Sequence, residues 1–450
     1  MRRKLLSLTA SLFAAPAFAQ APQSMPAAKP TFLPNATAAA AAPKGPVMVS
    51  HVDDSAFPLS VSPSANAVLS QASGALPAPA YDTPSYGPPT NLLLDNAGPA
   101  RESRVWVNLE YLVWFNSDMN SPALIAGVPG VVAAAPGGAF APAAQLFPRN
   151  RDIKFDAFNG IRGTAGMDFE HFGVDASVFA LETNSEGASF TGTGAPISVA
   201  RQYINVATGV PTNLYSSLLG QYTGGTEAVV DSYTWGADVN ARFPGFTFWA
   251  DRVDYLAGFR YLNLSESITM TDVSNFPTGT TLTVQDIIRT SNEFYGGQVG
   301  FHARSGACER GLGADFLYKF AFGSMRQSAN LSGTNTYFVP GAAPDTIPGG
   351  LYARGPAAGT FTRNKAAVVT EATFNVTYNF TKEAQVFFGY TIVYATSVIR
   401  PGEAINPVIN DSTARFVANQ TPNAIPAPTF RFVANDYWVQ GLNFGARFQY

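Results

Sequence analysis

The last fourteen residues decide the fold: Tyr437-Trp438-Val439-Gln440-Gly441-Leu442-Asn443-Phe444-Gly445-Ala446-Arg447-Phe448-Gln449-Tyr450. Their even positions are mostly apolar or aromatic, and their odd positions from Gly441 onward carry glycine or a polar side chain. Side chains two residues apart lie on the same face of a β-strand. The alternation therefore predicts a strand with one apolar and one polar face.

Three aromatic side chains, Phe444, Phe448 and Tyr450, share the apolar face of this strand. A last strand that ends on an aromatic residue is similar to the terminal recognition strand of bacterial outer-membrane barrels. We therefore expect these three residues to form the barrel-insertion signal. The expected partners are outer-membrane lipid and the barrel-assembly machinery.

The composition fits a membrane barrel better than a helical membrane protein. The chain has 450 residues, of which 46% are hydrophobic and 13% are charged, and its mean hydropathy is +0.04. A membrane-spanning helix needs about 20 consecutive apolar residues, and beyond the amino terminus the sequence holds no such run. A formal net charge of −3 provides no basic surface for nucleic acid, which is not expected as a partner.

Three regions are expected along the chain. Residues 1–19 combine a basic start, an apolar stretch and the cleavage pattern Ala17-Phe18-Ala19, which predicts a cleaved signal peptide. Residues 20–100 are rich in Ala and Pro and do not alternate, so we expect a disordered periplasmic tail or linker. Residues 101–450 are expected to form the barrel, with the single cysteine, Cys308, as an incidental turn residue.

Segments with period two recur from Arg104 to the end of the chain. Each is at least as long as the roughly 9–11 residues that cross a membrane at a tilt. Short turns alternate with long loops at about 116–152, 185–229, 332–360 and 400–430, with a shorter loop at 271–280. Since such barrels have short periplasmic turns and long external loops, both ends of the barrel domain are expected in the periplasm.

The sequence thus predicts an all-β fold, a single antiparallel up-and-down transmembrane β-barrel. We expect about ten strands, or twelve if the loop at 185–229 holds a hairpin. A secreted β-sandwich would also alternate, but a sandwich of this length would normally split into domains.

Several segments resemble one known family, the seventh family of β-barrel porins, a planctomycete-type group first described as a domain of unknown function. The resemblance lies in Val107-Asn108-Leu109-Glu110-Tyr111-Leu112-Val113-Trp114, Leu256-Ala257-Gly258-Phe259-Arg260-Tyr261-Leu262, Phe294-Tyr295-Gly296-Gly297-Gln298-Val299-Gly300, Gly389-Tyr390-Thr391-Ile392-Val393-Tyr394, Val398-Ile399-Arg400-Pro401-Gly402 and Trp438-Val439-Gln440-Gly441-Leu442-Asn443-Phe444-Gly445. Ala395-Thr396 departs from the pattern, where a second aromatic residue is expected. The resemblance implies an outer-membrane barrel and no particular transported substrate.

Charged side chains of both signs are expected on the inward face of the barrel. The candidate lumen-lining charges are Glu110, Arg162, Asp168, Asp175, Asp238, Arg242, Arg252, Asp254, Arg260, Asp315, Lys319, Glu371 and Arg447. They predict either a polar pore for water and small solutes or a narrow lumen that salt bridges fill. Four apolar residues on the same face, Trp106, Trp114, Leu256 and Phe387, slightly favour partial filling.

No catalytic, cofactor or metal site is expected. Of the three histidines, His51 lies in the tail, and His171 and His302 lie near predicted periplasmic turns, away from the external lip where an outer-membrane hydrolase would need them. One cysteine and scattered histidines cannot form a zinc site. Gly296-Gly297-x-x-Gly300 lies within an alternating strand with no helix after it, so close backbone contact explains it better than phosphate binding.

Two functions follow from the sequence. The first is a porin-like channel for passive diffusion of small hydrophilic solutes, which would then be partners. The second is a structural or surface-display barrel with a filled lumen and no transport. The loops carry no charge runs, so their composition does not separate the two.

Overall fold

The computed structural model describes residues 104–129, 144–192, 197–245, 250–306, 311–412, 414 and 422–450. The expected signal peptide at 1–19, the expected tail at 20–100 and Cys308 lie outside the described residues.

The described residues are mainly β-strand, with almost no helix. The strands are β1 Arg104–Asn116, β2 Met119–Asn120, β3 Ile125–Pro129, β4 Ala144–Phe147, β5 Asp152–Ile153, β6 Phe158–Asp168, β7 Gly173–Leu181, β8 Asn184–Gly192, β9 Ile197–Asn205, β10 Pro211–Tyr215, β11 Thr223–Pro244, β12 Arg252–Asn275, β13 Thr281–Gly306, β14 Gly311–Phe338, β15 Asp345–Pro348, β16 Gly359–Asn379, β17 Ala384–Val398, β18 Val408–Ile409 and β19 Asn435–Gln449. One short helix, α1 Pro401–Ala404, and 3₁₀ turns at Arg149–Arg151 and Gly355–Ala357 complete the elements. None of the helices in the described part of the chain is long and apolar enough to span a membrane.

Ten of these strands close into one antiparallel barrel. Around the ring the order is β1, β6, β7, β11, β12, β13, β14, β16, β17 and β19. The last strand pairs with the first, from Trp106 opposite Gln449 to Asn116 opposite Val439, which closes the ring. The predicted all-β single barrel of about ten strands is confirmed.

The predicted twelve-strand alternative does not occur in the described residues. Within 185–229, β8 continues β7 along the same neighbour, β11, from Asn184 to Gly192. The β9–β10 hairpin joins a different sheet, outside the ring.

The expected long loops proved to be partly regular structure. The ring strands β11, β12, β13 and β14 have 22, 24, 26 and 28 residues, well beyond the 9–11 that cross a membrane. Consequently β12 runs through the first half of the loop expected at 271–280, and β14 continues to Phe338. We call the parts of these strands and β8 beyond the membrane-spanning length the wall.

The outward face of the barrel carries a belt of exposed apolar side chains. Val239, Phe259 and Phe374 are each about half exposed, at 53%, 48% and 50%. Aromatic pairs mark the two edges of the belt: Phe169 and Phe172, 4.7 Å apart, lie at the short-turn end, and Tyr261 and Tyr295, 5.0 Å apart, lie towards the long-loop end. An apolar band between two aromatic girdles is the outer surface that a lipid bilayer requires.

A second, smaller sheet covers the inner side of the wall at the long-loop end. It has the order β10, β9, β3, β4, with β18 parallel to β9. This sheet, together with residues 349–358 and 399–412, is called the cap. Its apolar side chains, Leu124, Val199 and Tyr352 among them, pack into one buried cluster with Val230, Met270 and other inward residues of the wall.

Candidate functional site

The predicted lumen charges lie in the half of the barrel next to the short-turn end. Their residues are buried or partly buried at inward-facing positions: Glu110, Arg162, Asp168, Asp175, Asp238, Arg242, Arg252, Asp254, Arg260, Asp315, Lys319, Glu371 and Arg447. We call this group the ionic layer. The alternation of each strand places these side chains inside because the opposite face carries the lipid-facing residues.

A carboxylate at the centre of the ionic layer bridges strands on different sides of the lumen. Glu371 on β16 contacts Arg162 on β6 at 3.3 Å and Arg260 on β12 at 2.6 Å. Glu110 on β1 lies 3.7 Å from the same Arg162. Since β6 and β16 are four strands apart in the ring of ten, the Arg162–Glu371 pair reaches across the lumen.

Further ion pairs fill the same layer. Lys319 contacts Asp238 at 2.9 Å, and Arg242 contacts both Asp168 and Asp175 at 2.8 Å. A buried charge is costly unless an opposite charge and hydrogen bonds satisfy it. The pairing therefore explains how so many charges lie inside a narrow barrel.

An apolar layer separates the ionic layer from the cap. It consists of inward-facing side chains from nine of the ring strands: Leu112, Trp114, Phe158, Phe179, Leu181, Leu262, Leu264, Phe294, Ala321, Met325, Ala367, Val369, Val393, Ala395, Tyr437 and Val439, together with Val398 at the end of β17. At its edge the hydroxyls of Thr234 on β11 and Tyr437 on β19 are 2.9 Å apart. These two strands are also four apart in the ring, so side chains meet across the lumen here as well.

The four apolar residues predicted on the lumen side are all buried. Trp114 lies in the apolar layer, 5.4 Å from Phe179, and the guanidinium of Arg162 lies over its ring at 5.1 Å. Trp106 lies between Arg242 and Arg447, at 4.8 and 5.0 Å. Leu256 and Phe387 are 5% and 7% exposed. Both tryptophans thus fill space and stabilise neighbouring cations through their ring faces.

Two arginines hold the cap against the wall. Arg201 on β9 is fully buried and pairs with Asp272 on β12 and with Asp286 on β13, the latter at 2.6 Å. Asp286 also accepts hydrogen bonds from the backbone N–H groups of residues 351–353 at 2.7–3.0 Å. One carboxylate therefore fixes two separate segments of the cap.

The second arginine, Arg400, precedes α1. It donates to both carboxylate oxygens of Glu266 on β12, at 2.9 and 2.5 Å. It also donates to the carbonyl oxygens of Ser117 and Asp118, at 2.8 and 2.9 Å. A bidentate arginine–carboxylate pair with further hydrogen bonds is strong and geometrically specific.

Buried tyrosines in and beside the cap have raised pKa values. Partial burial raises the pKa of Tyr222, whose ring centre lies 4.7 Å from that of Phe276, to about 12. Burial, the nearby Asp411 carboxylate and the hydrogen bond to it all raise the pKa of Tyr203. Burial also raises the pKa of Tyr352, against the effect of Arg201. In each case burial disfavours the phenolate, which is the charged form.

The cap-docking residues were not predicted from the sequence. Arg201 falls within a stretch expected to be a loop, where no alternation marks an inward face. A signal existed for Arg400, because it lies within one of the segments that resemble the porin family. In β12, inward-facing apolar residues such as Ile268 and Met270 continue past the membrane-spanning part. This pattern indicates that something packs inside the barrel there, as the cap does.

The predicted insertion signal faces outward. Phe444, Phe448 and Tyr450 are exposed on the lipid side, and Phe444 lies 5.0 Å from Phe388. The amide of Tyr450 donates to the carbonyl oxygen of Val105 at 2.8 Å. The strand is therefore paired to its last residue, while its role in insertion stays a prediction.

His171, His302 and the glycine motif lie where the sequence placed them, whereas His51 lies outside the described residues. His171 is exposed in the turn between β6 and β7, and His302 faces Asp315 at 3.9 Å inside the barrel. Gly300 lies within β13, where a Cβ atom would come within 2.2 Å of the Tyr318 carbonyl oxygen. In the described residues no three His, Cys, Asp or Glu side chains cluster as metal ligands would.

The chain is similar to one protein family and to solved outer-membrane structures. The family model described as Putative beta barrel porin-7 matches residues 106–450. The fold is similar to the outer membrane protease OmpT of Escherichia coli, with 9% identity, a TM-score of 0.37, and coverage of 77% of this chain and 97% of that one. It is also similar to a Pseudomonas aeruginosa FadL homologue, with 9% identity, a TM-score of 0.19, and coverage of 77% and 90%.

No curated protein matches the chain in sequence. The porin family model nevertheless covers well over half of the chain, including every strand of the ring. The chain therefore belongs to the Putative beta barrel porin-7 family and is a transmembrane β-barrel of the bacterial outer membrane.

Proposed function

We propose that this protein is a closed outer-membrane barrel that anchors a folded cap at the cell surface. Of the two functions expected from the sequence, this is the structural or surface-display barrel. Passive diffusion of small solutes stays a prediction, and it is the less favoured of the two. No enzymatic role is proposed.

The observation that carries the proposal is the apolar layer. Trp114, Phe158 and Phe294 are completely buried inside the barrel, although they point toward its axis. Contacts such as Thr234–Tyr437 join strands on different sides of the lumen. Complete burial of large side chains and contacts across the lumen are features of a packed protein core, and they support an interior without a continuous path for water.

The energetics support a lumen that stays closed at rest. An ion that entered the apolar layer would lose its hydration shell without receiving polar ligands, and hydrophobic constrictions of this kind exclude water and ions. The centre of the ionic layer below offers little compensation, because Glu371, Arg162 and Arg260 are already paired with each other, as are Lys319 and Asp238. The cap lies on the external side of both layers.

A channel would require side chains of the apolar layer to move aside. The family description as a porin and the polar lower half of the lumen support that function. A gate formed by the apolar layer would then respond to displacement of the cap, whose segment 399–412 follows directly from β17.

Planar-bilayer conductance of the purified, refolded barrel tests the proposal. The matched variant is Trp114→Ala, which removes the largest side chain of the apolar layer; folding of both proteins is checked by the heat-dependent shift in gel mobility. We expect no current steps from the natural protein. A second variant, Phe158→Ala combined with Phe294→Ala, serves if Trp114→Ala does not fold.

Steady single-channel steps from the natural protein, at any voltage that leaves the bilayer intact, would overturn the closed-barrel proposal. Steps from a layer variant alone would support it, because they would show that the apolar layer is what closes the lumen. The absence of current steps from all three proteins would also support the proposal, because the ionic layer would then be a second barrier to ions.

A further inference from the structure

A water-accessible cavity lies at the short-turn, periplasmic mouth of the barrel. It holds about 370 Å³ of space, several times the roughly 30 Å³ that one water molecule occupies in the liquid. Its walls come from the periplasmic ends of β1, β12, β13, β14, β16, β17 and β19 and from the turn between β16 and β17. We call it the periplasmic vestibule.

Basic side chains outnumber acidic ones around the vestibule. The basic residues are Arg104, Arg252, Arg304, Lys382 and Arg447. The acidic residues are Asp251, Asp315 and Glu383. A further carboxylate, Asp254, is buried behind the vestibule lining, but it is shared by Arg304 at 2.5 Å, Arg252 at 3.2 Å and Arg242 at 4.0 Å. Asp168, 3.9 Å from Arg252, is likewise shared with Arg242, so these two carboxylates do not remove the positive excess.

Arg447 at the floor of the vestibule lacks an ion pair. Its Nε donates to the side-chain oxygen of Asn108 at 2.8 Å, and its guanidinium lies over the ring of Trp106. No carboxylate oxygen of the described residues lies within 4.0 Å of it, whereas Arg162, Arg242 and Arg260 in the ionic layer all have such partners. Arg447, the member of the ionic layer that also lines the vestibule floor, therefore differs from these three arginines.

A second donor in the vestibule is also unsatisfied. The Nε atom of Arg304 is buried and has no hydrogen-bond partner among the described residues, although the other end of its guanidinium contacts Asp254. A buried donor without a partner costs about 1–3 kcal/mol, and more when it is charged. A ligand that accepts from it would recover that free energy.

We propose that the periplasmic vestibule binds a small oxyanion, a carboxylate or phosphate group, with Arg304 and Arg447 as its donors. Guanidinium groups form paired hydrogen bonds with both kinds of oxyanion, which a monatomic anion cannot accept in the same geometry. The ligand enters from the periplasm, since the cavity opens at that end. The proposal is independent of whether the lumen above is closed.

Trp106 provides a direct reporter, because Arg447 lies over its ring. Inorganic phosphate and sodium acetate are titrated into the refolded full-length protein at constant ionic strength, with sodium chloride as the reference salt. We expect a saturable change in tryptophan fluorescence with phosphate, acetate or both, and none with chloride. The Trp106→Phe protein should lose the change, which assigns the signal to this ring.

Variants of the donors complete the test. Arg447→Gln should weaken the binding at least about tenfold, and Arg447→Lys should weaken it less, since lysine keeps the charge but loses the paired geometry. Arg304→Gln provides an independent arm if Arg447→Gln does not fold. Arg326→Gln, an exposed arginine on the wall, is the matched control and should bind as the natural protein does.

The two titrations also separate the two oxyanions. A saturable fluorescence change with phosphate alone assigns a phosphate ligand, and one with acetate alone assigns a carboxylate ligand. Equal responses to chloride, a response that rises linearly without saturation, or unchanged binding in both Arg304→Gln and Arg447→Gln would overturn the proposal.

Discussion

Removing the charge of Glu371 should destabilise the barrel strongly. The Glu371→Gln side chain keeps the size of the original but leaves two buried guanidiniums, those of Arg162 and Arg260, without the carboxylate they share at 3.3 and 2.6 Å. Breaking a buried ion pair from one side costs about 3–5 kcal/mol. Arg162 retains Glu110 at 3.7 Å, but Arg260 has no other ion-pair partner among the described residues, so we expect a loss of about 4 kcal/mol in the free energy of unfolding.

The measurement is urea unfolding of the refolded barrel in micelles, followed by tryptophan fluorescence. The control is Glu293→Gln, which removes the partner of Arg326 in an exposed pair at 3.4 Å and should cost at most about 1 kcal/mol. Replacing both Arg260 and Glu371 by Met should recover much of the loss, because the uncompensated charge is gone. Similar losses from Glu371→Gln and Glu293→Gln would refute the assignment of Glu371 as the centre of a desolvated network.

Three further outcomes are expected. Phe259→Arg, at a lipid-facing position that is about half exposed, should cost about 2–4 kcal/mol in vesicle refolding near the bilayer midplane, while Phe259→Leu should be nearly neutral; equal effects would place Phe259 outside the bilayer. Phe448→Ser combined with Tyr450→Ser should leave export intact but reduce the amount of folded barrel in the outer membrane, as measured by fractionation, and normal amounts would remove these residues from the insertion signal. Because burial raises the pKa of Tyr222 from 10.0 to about 12, its contribution to stability should be complete below pH 10 and be lost as the pH rises through about 12. Phenolate absorbance of Tyr222 should therefore appear only near pH 12, together with protease sensitivity of the cap. Titration of Tyr222 near pH 10 in the intact protein would contradict its burial.

The membrane-spanning part of the fold could be predicted because lipid and protein interior impose opposite chemistries on alternate residues. In β1, for example, Leu109 and Tyr111 face outward while Asn108 and Glu110 face inward, and such a pattern is visible in a single strand. The strand count and the closure by the terminal strand followed from the same pattern. The inward position of the charged residues also followed from it, but their partners did not, because partners such as Arg162 and Glu371 are set by the curvature of the closed ring.

The cap and the wall could not be predicted in this way. Outside the membrane both faces of a strand can be polar or apolar, so the outward residues of β13 there, such as Thr283 and Gln285, no longer mark the lipid side. Arg201 and Asp286, 85 residues apart in sequence, form a pair that no local pattern indicates. Their contact exists because a separate sheet packs inside the wall, and that packing depends on the three-dimensional path of four loops.

The length of the wall strands determines how far the protein stands above the lipid. The 28 residues of β14 at about 3.3 Å each give a strand of about 90 Å, which rises about 65 Å along the membrane normal at a tilt near 45°. An apolar belt of about 25 Å accounts for less than half of that height, and most of the remainder lies at the long-loop end. With the external orientation of the long loops that the sequence predicts, the hairpin tips at 276–280 and 339–344 would project well beyond the head groups. Anything that approached the cell from outside would then meet those tips before it reached the membrane surface.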